Sequence, residues 1–327
     1  MKQTYFPYNP ALKQALLSVS NLMEAKIKTR DGQLEGALQQ MATNGGKFLR
    51  PAFFWLFASL NGQPTEEKRP PLIKLATSIE VLHMATLIHD DIIDDSPKRR
   101  GRVSIQAKFG KDVAVYSGDY LFTIFFDLIT TTTEGTPFLT INAKVMHRIL
   151  RGELGQMADR FKQNQSLLAY LRNVNGKTAA LFSLAASEGA HFGGADQRTV
   201  TLAKQIGQNV GIAFQILDDI LDYSSGDRLN KPVLEDLATG VYSLPLLLAL
   251  KTDPTELTPL LNKGRQMTLS DMERVRELVV NIGGVDQARQ LATAFTKKAE
   301  EKINRLPAGS SQQALNKLCK HLLKRNS

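Results

Sequence analysis

The sequence predicts an all-α protein, and three observations carry that prediction. Apolar residues recur at three- and four-residue spacing through most of the chain. No segment sustains strict apolar–polar alternation between hairpin turns, so strands are not expected. The breaks between periodic segments are short and built from Gly, Pro, Asn and Ser, the residues of turns and helix caps.

In chain order, the first helix is "NPALKQALLSVSNLMEAKI". Helical segments follow around 71–94, 112–131, 138–161, 166–190, 197–223, 270–281 and 285–304. The breaks are "TNGGK" (43–47), "NGQPTEEKRPP" (61–71), "SPKRRGR" (96–102), "TTEGTP" (132–137) and "SSGDRLNKP" (224–232). None has the length or composition of a domain linker, and no fixed-period repeat or low-complexity tract interrupts the pattern. One domain over residues 1–327 is the expectation.

Composition narrows the classes. With 43% hydrophobic and 22% charged residues the chain reads as soluble and globular. No apolar run reaches the roughly 18 residues of a membrane span, and "MKQTYFPYNP" lacks the apolar core of a signal peptide, so a cytoplasmic protein is expected. Cys319 is the only cysteine, which excludes an internal disulfide and a cysteine-cluster metal site. A net charge of +9 suits anionic partners. Aromatics are only 7% of residues and no basic–aromatic stacking pattern occurs, which argues against nucleic acid. The basic end "LNKLCKHLLKRNS" permits weak association with a membrane surface, although a solvated closing helix is the plainer reading.

Two acidic clusters stand out. Asp90, Asp91 and Asp94 form D-D-x-x-D after the mostly apolar "IEVLHMATLI". On a helix, residues three and four apart share a face, and like charges there repel. Placing them at a helix C-terminus also opposes the macrodipole. Alone, such a cluster is a solvated helix end. It recurs, however, as Asp218, Asp219 and Asp222 in "AFQILDDILDY". Were the two to line one cavity, six carboxylates would need cations to be tolerable. Oxygen donors without His or Cys suit Mg²⁺ or Mn²⁺. No Glu-x-x-His occurs, so a di-iron bundle does not fit. Mg²⁺ held by few carboxylates completes its shell with water and substrate phosphate, which points to a phosphorylated ligand. About three divalent cations would balance the carboxylates, and a diphosphate would still need bases. Lys47 and Arg50 in "GGKFLRP", Arg99 and Arg100, Lys177 in "NGKTAA" and Lys231 are the candidates. Each alone is an ordinary surface charge; their place beside Gly-rich breaks and acidic motifs sets them apart. Gly45 and Gly46 would let backbone N–H groups approach a phosphate.

On these residues the chain resembles the trans-type polyprenyl diphosphate synthases, including the catalytic component of heptaprenyl diphosphate synthase. The similar segments run in order: "GGKFLRP", "EVLHMATLIHDDIIDDSPKRRG", "GDYLFT", "GKTAALF", "FQILDDILDY" and "KPVLEDLATGVYSLP". The resemblance implies a single large helical bundle around a deep central cavity, usually a homodimer. It implies that the six aspartates hold Mg²⁺, three ions per site, on an allylic diphosphate that Arg99, Lys177 and Lys231 also contact. It places Lys47, Arg50, His83 and Arg100 on isopentenyl diphosphate, with Thr178 and Gln215 near the breaking bond. The implied reaction is head-to-tail condensation by ionisation, attack of the isopentenyl double bond and proton loss. His89 is expected to be structural.

Two positions depart from the family pattern: Leu234 stands for a Gly and Val241 for a Lys. The missing Lys removes a phosphate contact and raises the expectation of a small partner subunit in a heterodimer, as in the two-component heptaprenyl type. Product length should depend on the residues one turn below Asp90. Ala85 and Thr86 are small there, where short-chain synthases carry Phe or Tyr. That leaves the tunnel open toward Val81 and Leu82, a further turn down, with a stop expected from the helix of "YLFTIFF" (120–126); a product of about thirty to forty carbons is the expectation, with farnesyl or geranylgeranyl diphosphate as the shorter alternative. A terpene cyclase would carry a different second metal motif, a non-catalytic subunit would lose acidic residues, and a metal phosphohydrolase would need more than the five His present.

Overall fold

The computed structural model describes residues 9–44, 46–223 and 235–323. In chain order the helices are α1 Pro10–Lys26, α2 Gly32–Asn44, α3 Leu49–Ala58, α4 Arg69–Ile93, α5 Ile105–Phe109, α6 Lys111–Thr133, α7 Phe138–Ala158 and α8 Leu167–Val174. A π turn, Asn175–Ala179, leads into α9 Ala180–Phe192. Then come α10 Gln197–Leu221, α11 Glu235–Ala238, α12 Leu244–Thr252, α13 Leu257–Leu261, a 3₁₀ turn Gly264–Gln266, α14 Leu269–Asn281, α15 Gly284–Ile303 and α16 Ser310–Leu323. The all-α class is as the periodicity predicts. Local chemistry starts the helices where expected. Asn9 accepts from the Leu12 N–H at 3.0 Å with Pro10 in the first turn. Thr268 and Asp271 form a reciprocal capping box on α14.

Among the described residues, six helices lie outside the segments expected from sequence: α2, α3 and α12, and the short α5, α11 and α13. In α3 nine of ten residues are buried, from Leu49 through Ala58, so no polar face marks its period. A further difference concerns length and apolarity. Helices α4 and α6 are long and apolar enough to cross a membrane, contrary to the reading that no run is. Their composition follows from packing: α4 is mostly buried and makes its most extensive contacts with α6.

The chain divides into two compact units. The first comprises Met1–Ala143, Leu184–Lys204 and Arg305–Leu318. There α4 is the central helix, packed by α1, α3 and α6, and Phe53, Phe54, Phe57 and Phe125 are fully buried. Gly189 of α9 lets that helix press on α3, since a Cβ at Gly189 would lie 2.2 Å from the Phe54 carbonyl oxygen. The second unit comprises Lys144–Ser183, Gln205–Asn304 and Cys319–Ser327. Its core joins α8, α10, α12, α14 and α15 through Val174, Ile216, Leu246, Val275 and Ala288.

Candidate active site

In the first unit, α4 ends inside the acidic cluster. Asp94 closes the helix by donating its N–H to the Asp90 carbonyl at 2.9 Å, and the Ser96 N–H reaches the Asp91 carbonyl at 2.9 Å. The chain then reverses through a two-stranded ribbon that the sequence reading did not anticipate, β1 Lys98–Arg99 against β2 Arg102–Val103. Its two-residue turn has Arg100 at φ +53° and Gly101 at φ +78°. Positive φ at both central residues is the tight hairpin turn whose twist matches its strands; Gly101 meets it without cost and Arg100 does not. The ribbon is anchored by Ser104, whose hydroxyl donates to the Ser96 carbonyl at 2.7 Å.

This reversal folds Arg99 back onto α4. Its Nε donates to Asp91 Oδ1 at 2.7 Å and its Nη2 donates to the same oxygen. Asp91 is 2% exposed, and burial raises its carboxyl above the usual range with Arg99 opposing. Asp90 is half-buried and Asp94 exposed. Within the first motif, therefore, the middle aspartate ties the ribbon to the helix and the outer two face outward. His89 packs structurally, as expected: its Nε2 lies 3.3 Å from Asp119 Oδ1 and its ring beneath Gly118, where a Cβ would fall 2.5 Å away.

One turn and more below Asp91, α4 presents Glu80, His83 and Leu87, which line a pocket with Met41 and Arg100. Gly46 closes over it: a Cβ there would sit 3.1 Å from Glu80 Oε1 and 3.3 Å from Arg100 Nη1. Burial pulls the Arg50 guanidinium down to about 10, with Glu80 opposing, and Arg50 stays charged at neutral pH. Burial and then Arg50, Arg100 and Arg99 hold His83 well below its ordinary value, so it is a neutral imidazole. His83 and Arg100 thus line one pocket, Arg50 lies near enough to act on both, and half-buried Lys47 stands on the segment leading into α3. Gly45 lies outside the described residues, as do Lys231 and Leu234.

In the second unit the π turn places Lys177 and Thr178. It forms where two glycines let backbones meet: a Cβ on Gly152 of α7 would lie 2.7 Å from the Lys177 nitrogen. Lys177 Nζ bonds Glu153 Oε2 and Gln156 Oε1, each at 3.0 Å. Thr178 donates to Gln215 Oε1 at 2.7 Å, and Gln215 Nε2 donates to Asp219 Oδ1 at 2.9 Å. Asp219 Oδ2 accepts from the Tyr170 hydroxyl at 2.7 Å and the Leu244 N–H at 3.1 Å. Asp219 is 6% exposed, and burial pushes its carboxyl up to about 7 against these three donors. Asp218 is exposed and Asp222 half-buried. The middle aspartate again points inward. Val241, in place of the family Lys, is half-buried, and its N–H donates to the Asp236 carbonyl at 2.8 Å.

The oxygen-only donors of Asp90 and Asp94, and of Asp218 and Asp222, fit a hard divalent cation. Among the described residues no three acidic, His or Cys side chains are gathered tightly enough to enclose one by themselves. Glu80, Tyr170, Glu153 and Gln156 were not identified from sequence. Glu80 had a signal, a lone carboxylate in the apolar "TSIEVLHM" three residues before His83; the others are legible only once the helices are packed.

A profile of the polyprenyl synthetase family matches residues 31–282. Heptaprenyl diphosphate synthase component 2 of Bacillus subtilis is 33% identical over 93% of this chain and 86% of its own length. Among solved structures, geranylgeranyl pyrophosphate synthase of Lactobacillus brevis superposes with a TM-score of 0.93 at 40% identity, covering 99% of this chain and 100% of that one. A polyprenyl synthase of Caulobacter crescentus, complexed with calcium and isoprenyl diphosphate, superposes with a TM-score of 0.88 at 31% identity over 97% and 98% of the two chains.

Proposed function

The chain belongs to the polyprenyl synthetase family and is a prenyltransferase, and from that premise we propose that it condenses isopentenyl diphosphate with an allylic diphosphate in a divalent-cation-dependent reaction. The observation that carries the reading is Arg100 and neutral His83 lining one pocket below an acidic helix end in the same unit, with Arg50 near enough to depress His83 further. Two guanidiniums with forked donors fit a diphosphate. A neutral imidazole beside them can donate a hydrogen bond without adding charge. In the first unit Asp90 and Asp94, and in the second Asp218 and Asp222, are the residues that would hold Mg²⁺ with diphosphate. Bound there, the cation supplies neutralisation of the charge that develops on the departing diphosphate. Lys177 and Arg99 add fixed positive charge, and Thr178 with Gln215 orients that end of the substrate. Calcium and isoprenyl diphosphate on the Caulobacter relative support the pairing of cation and diphosphate.

The proposed product has about thirty to forty carbons, because Ala85 and Thr86 put no large side chain one turn below Asp90. The resemblance to the two-component heptaprenyl synthase, whose relative here is named component 2, supports a second, small subunit; a homodimer is the alternative assembly. A second product reading, geranylgeranyl diphosphate, is favoured by the likeness to the Lactobacillus brevis enzyme. The test is purified protein with isopentenyl diphosphate, a short allylic primer and Mg²⁺, with and without a candidate small subunit. The expected result is Mg²⁺-dependent consumption, abolished by EDTA, and chains beyond twenty carbons. Termination at fifteen or twenty carbons would sink the longer product; no consumption with either assembly would sink the activity itself.

A further inference from the structure

We propose that Glu153 and Gln156 are positioning residues that hold the Lys177 ammonium at a fixed place ahead of substrate binding, and so set affinity for the allylic diphosphate; this rests on the function proposed above. All three lie in the second unit. Glu153 and Gln156 are three apart on α7 and share a face of it. Glu153 Oε2 and Gln156 Oε1 each accept from Lys177 Nζ at 3.0 Å. The same turn of α7 fixes the other end of the lysine. Gly152 is packed so closely on the Lys177 backbone nitrogen that a Cβ would fall 2.7 Å from it. Further along α7 the docking continues. A Cβ on Gly155 would lie 2.7 Å from Asn173 Oδ1, and Asn173 Nδ2 donates to Asp159 Oδ2 at 3.2 Å. The Lys177 side chain therefore runs between two fixed points, its root on Gly152 and its tip on Glu153 and Gln156.

A fully solvated lysine–carboxylate pair contributes little, because two long side chains must be ordered to make it. Here the Glu153 side chain is 15% exposed and the Lys177 side chain 31%, and the close helix crossing already fixes both backbones. A carboxylate at this point also repels an arriving diphosphate, so direct binding does not explain Glu153. Preorganisation does. A lysine is a point charge on a flexible four-carbon stem. Left in solvent it would have to be gathered from many rotamers on binding, whereas two acceptors on one helix face keep it in place. Gln156 adds direction to the hold without adding a second negative charge.

The test compares Glu153→Gln and the exchanged double variant Glu153→Gln with Gln156→Glu against the parent. It reads KM for each substrate, melting temperature and calorimetric binding of inorganic pyrophosphate with Mg²⁺. Glu153→Gln removes the charge with the shape kept. It is expected to raise the allylic KM about tenfold, with KM for isopentenyl diphosphate changed less than about twofold. The exchange returns a carboxylate to the same ammonium from the neighbouring turn and should recover most of that loss. A lowered or unchanged allylic KM in Glu153→Gln overturns the proposal, as does a fall in melting temperature alone or a double variant no better than the single one. Should Glu153→Gln not fold, Gln156→Met, which removes the other acceptor, must raise the allylic KM, and an unchanged value overturns the proposal. If the parent consumes no isopentenyl diphosphate but binds pyrophosphate, the function reading fails and Glu153→Gln must still weaken pyrophosphate binding. Neither turnover nor pyrophosphate binding overturns both.

Discussion

Glu188 shows what one buried side chain does to the pH response of the molecule. It is fully buried on α9, and Asn142 Nδ2 donates to its Oε1 at 2.7 Å. Its Oε2 has no hydrogen-bond partner. Burial pushes its carboxyl up to about 8 from an ordinary 4.5, only partly offset by Asn142. The folded state therefore holds a proton that the unfolded state releases. The associated stability is fully present below pH 4.5 and is lost as pH rises through about 8. At pH 7 the cost of keeping the carboxyl neutral is on the order of 3 kcal/mol. Glu188→Gln keeps the shape and cannot ionise. Melting curves from pH 5 to 9 should show the parent losing stability toward alkaline pH while the variant holds more level. Parallel curves would mean Glu188 is not the group responsible. A second residue-scale test concerns Tyr170, whose hydroxyl is one of three donors on Asp219. Tyr170→Phe should lower kcat by about tenfold with modest loss of stability, since one hydrogen bond to a buried carboxyl is worth about 1.5–3 kcal/mol. An unchanged kcat would show that Asp219 is held well enough by Gln215 and Leu244.

At the scale of elements, the π turn is the part of the site that periodicity could not deliver. The sequence reads as one helix over 166–190, and apolar spacing there fits either a continuous helix or one with a wider turn inserted. What decides is the close crossing of α7. A Cβ on Gly176 would sit 2.9 Å from the Arg148 carbonyl oxygen, just as one on Gly152 would strike the Lys177 nitrogen. Gly152→Ala should push the turn away from α7, displacing Lys177 and Thr178 together. Overpacking of this kind costs about 1–3 kcal/mol. A lowered melting temperature with a reduced kcat is expected, and retention of both would remove the glycine pair as the cause of the turn. Two of the helices missed from sequence, α3 and α12, share one physical reason. Burial of nearly all of α3, and of Leu244, Pro245, Leu246 and Leu247 in α12, erases the polar stripe that advertises a period. The acidic and basic residues were legible as clusters because like charges at helical spacing have no local justification. Their division of labour was not: that Asp91 holds Arg99, and Asp219 holds Tyr170 and Gln215, is a property of packed segments.

Under the proposed function, product length is a property of the whole molecule, because a growing chain would have to find room among the helices around α4. Ala85 and Thr86 were grouped from sequence as small residues one turn below Asp90, and the structure separates them. Ala85 has no exposed surface, whereas Thr86 is half-buried with its hydroxyl turned back to the His83 carbonyl at 2.8 Å. Thr86 is only half-buried, so a larger side chain there displaces less of the core than one at fully buried Ala85. Thr86→Phe is therefore expected to shorten the product by at least one five-carbon unit with the melting temperature kept. Ala85→Phe is expected to shorten it with an overpacking loss of about 1–3 kcal/mol. Chain-length analysis of the extracted products, beside thermal melts of both variants, reads the two effects separately. If Thr86→Phe leaves the product distribution as in the parent, the chain does not grow past this turn of α4. The length limit must then be sought on another helix, with "YLFTIFF" of α6 the next candidate because α6 packs along α4.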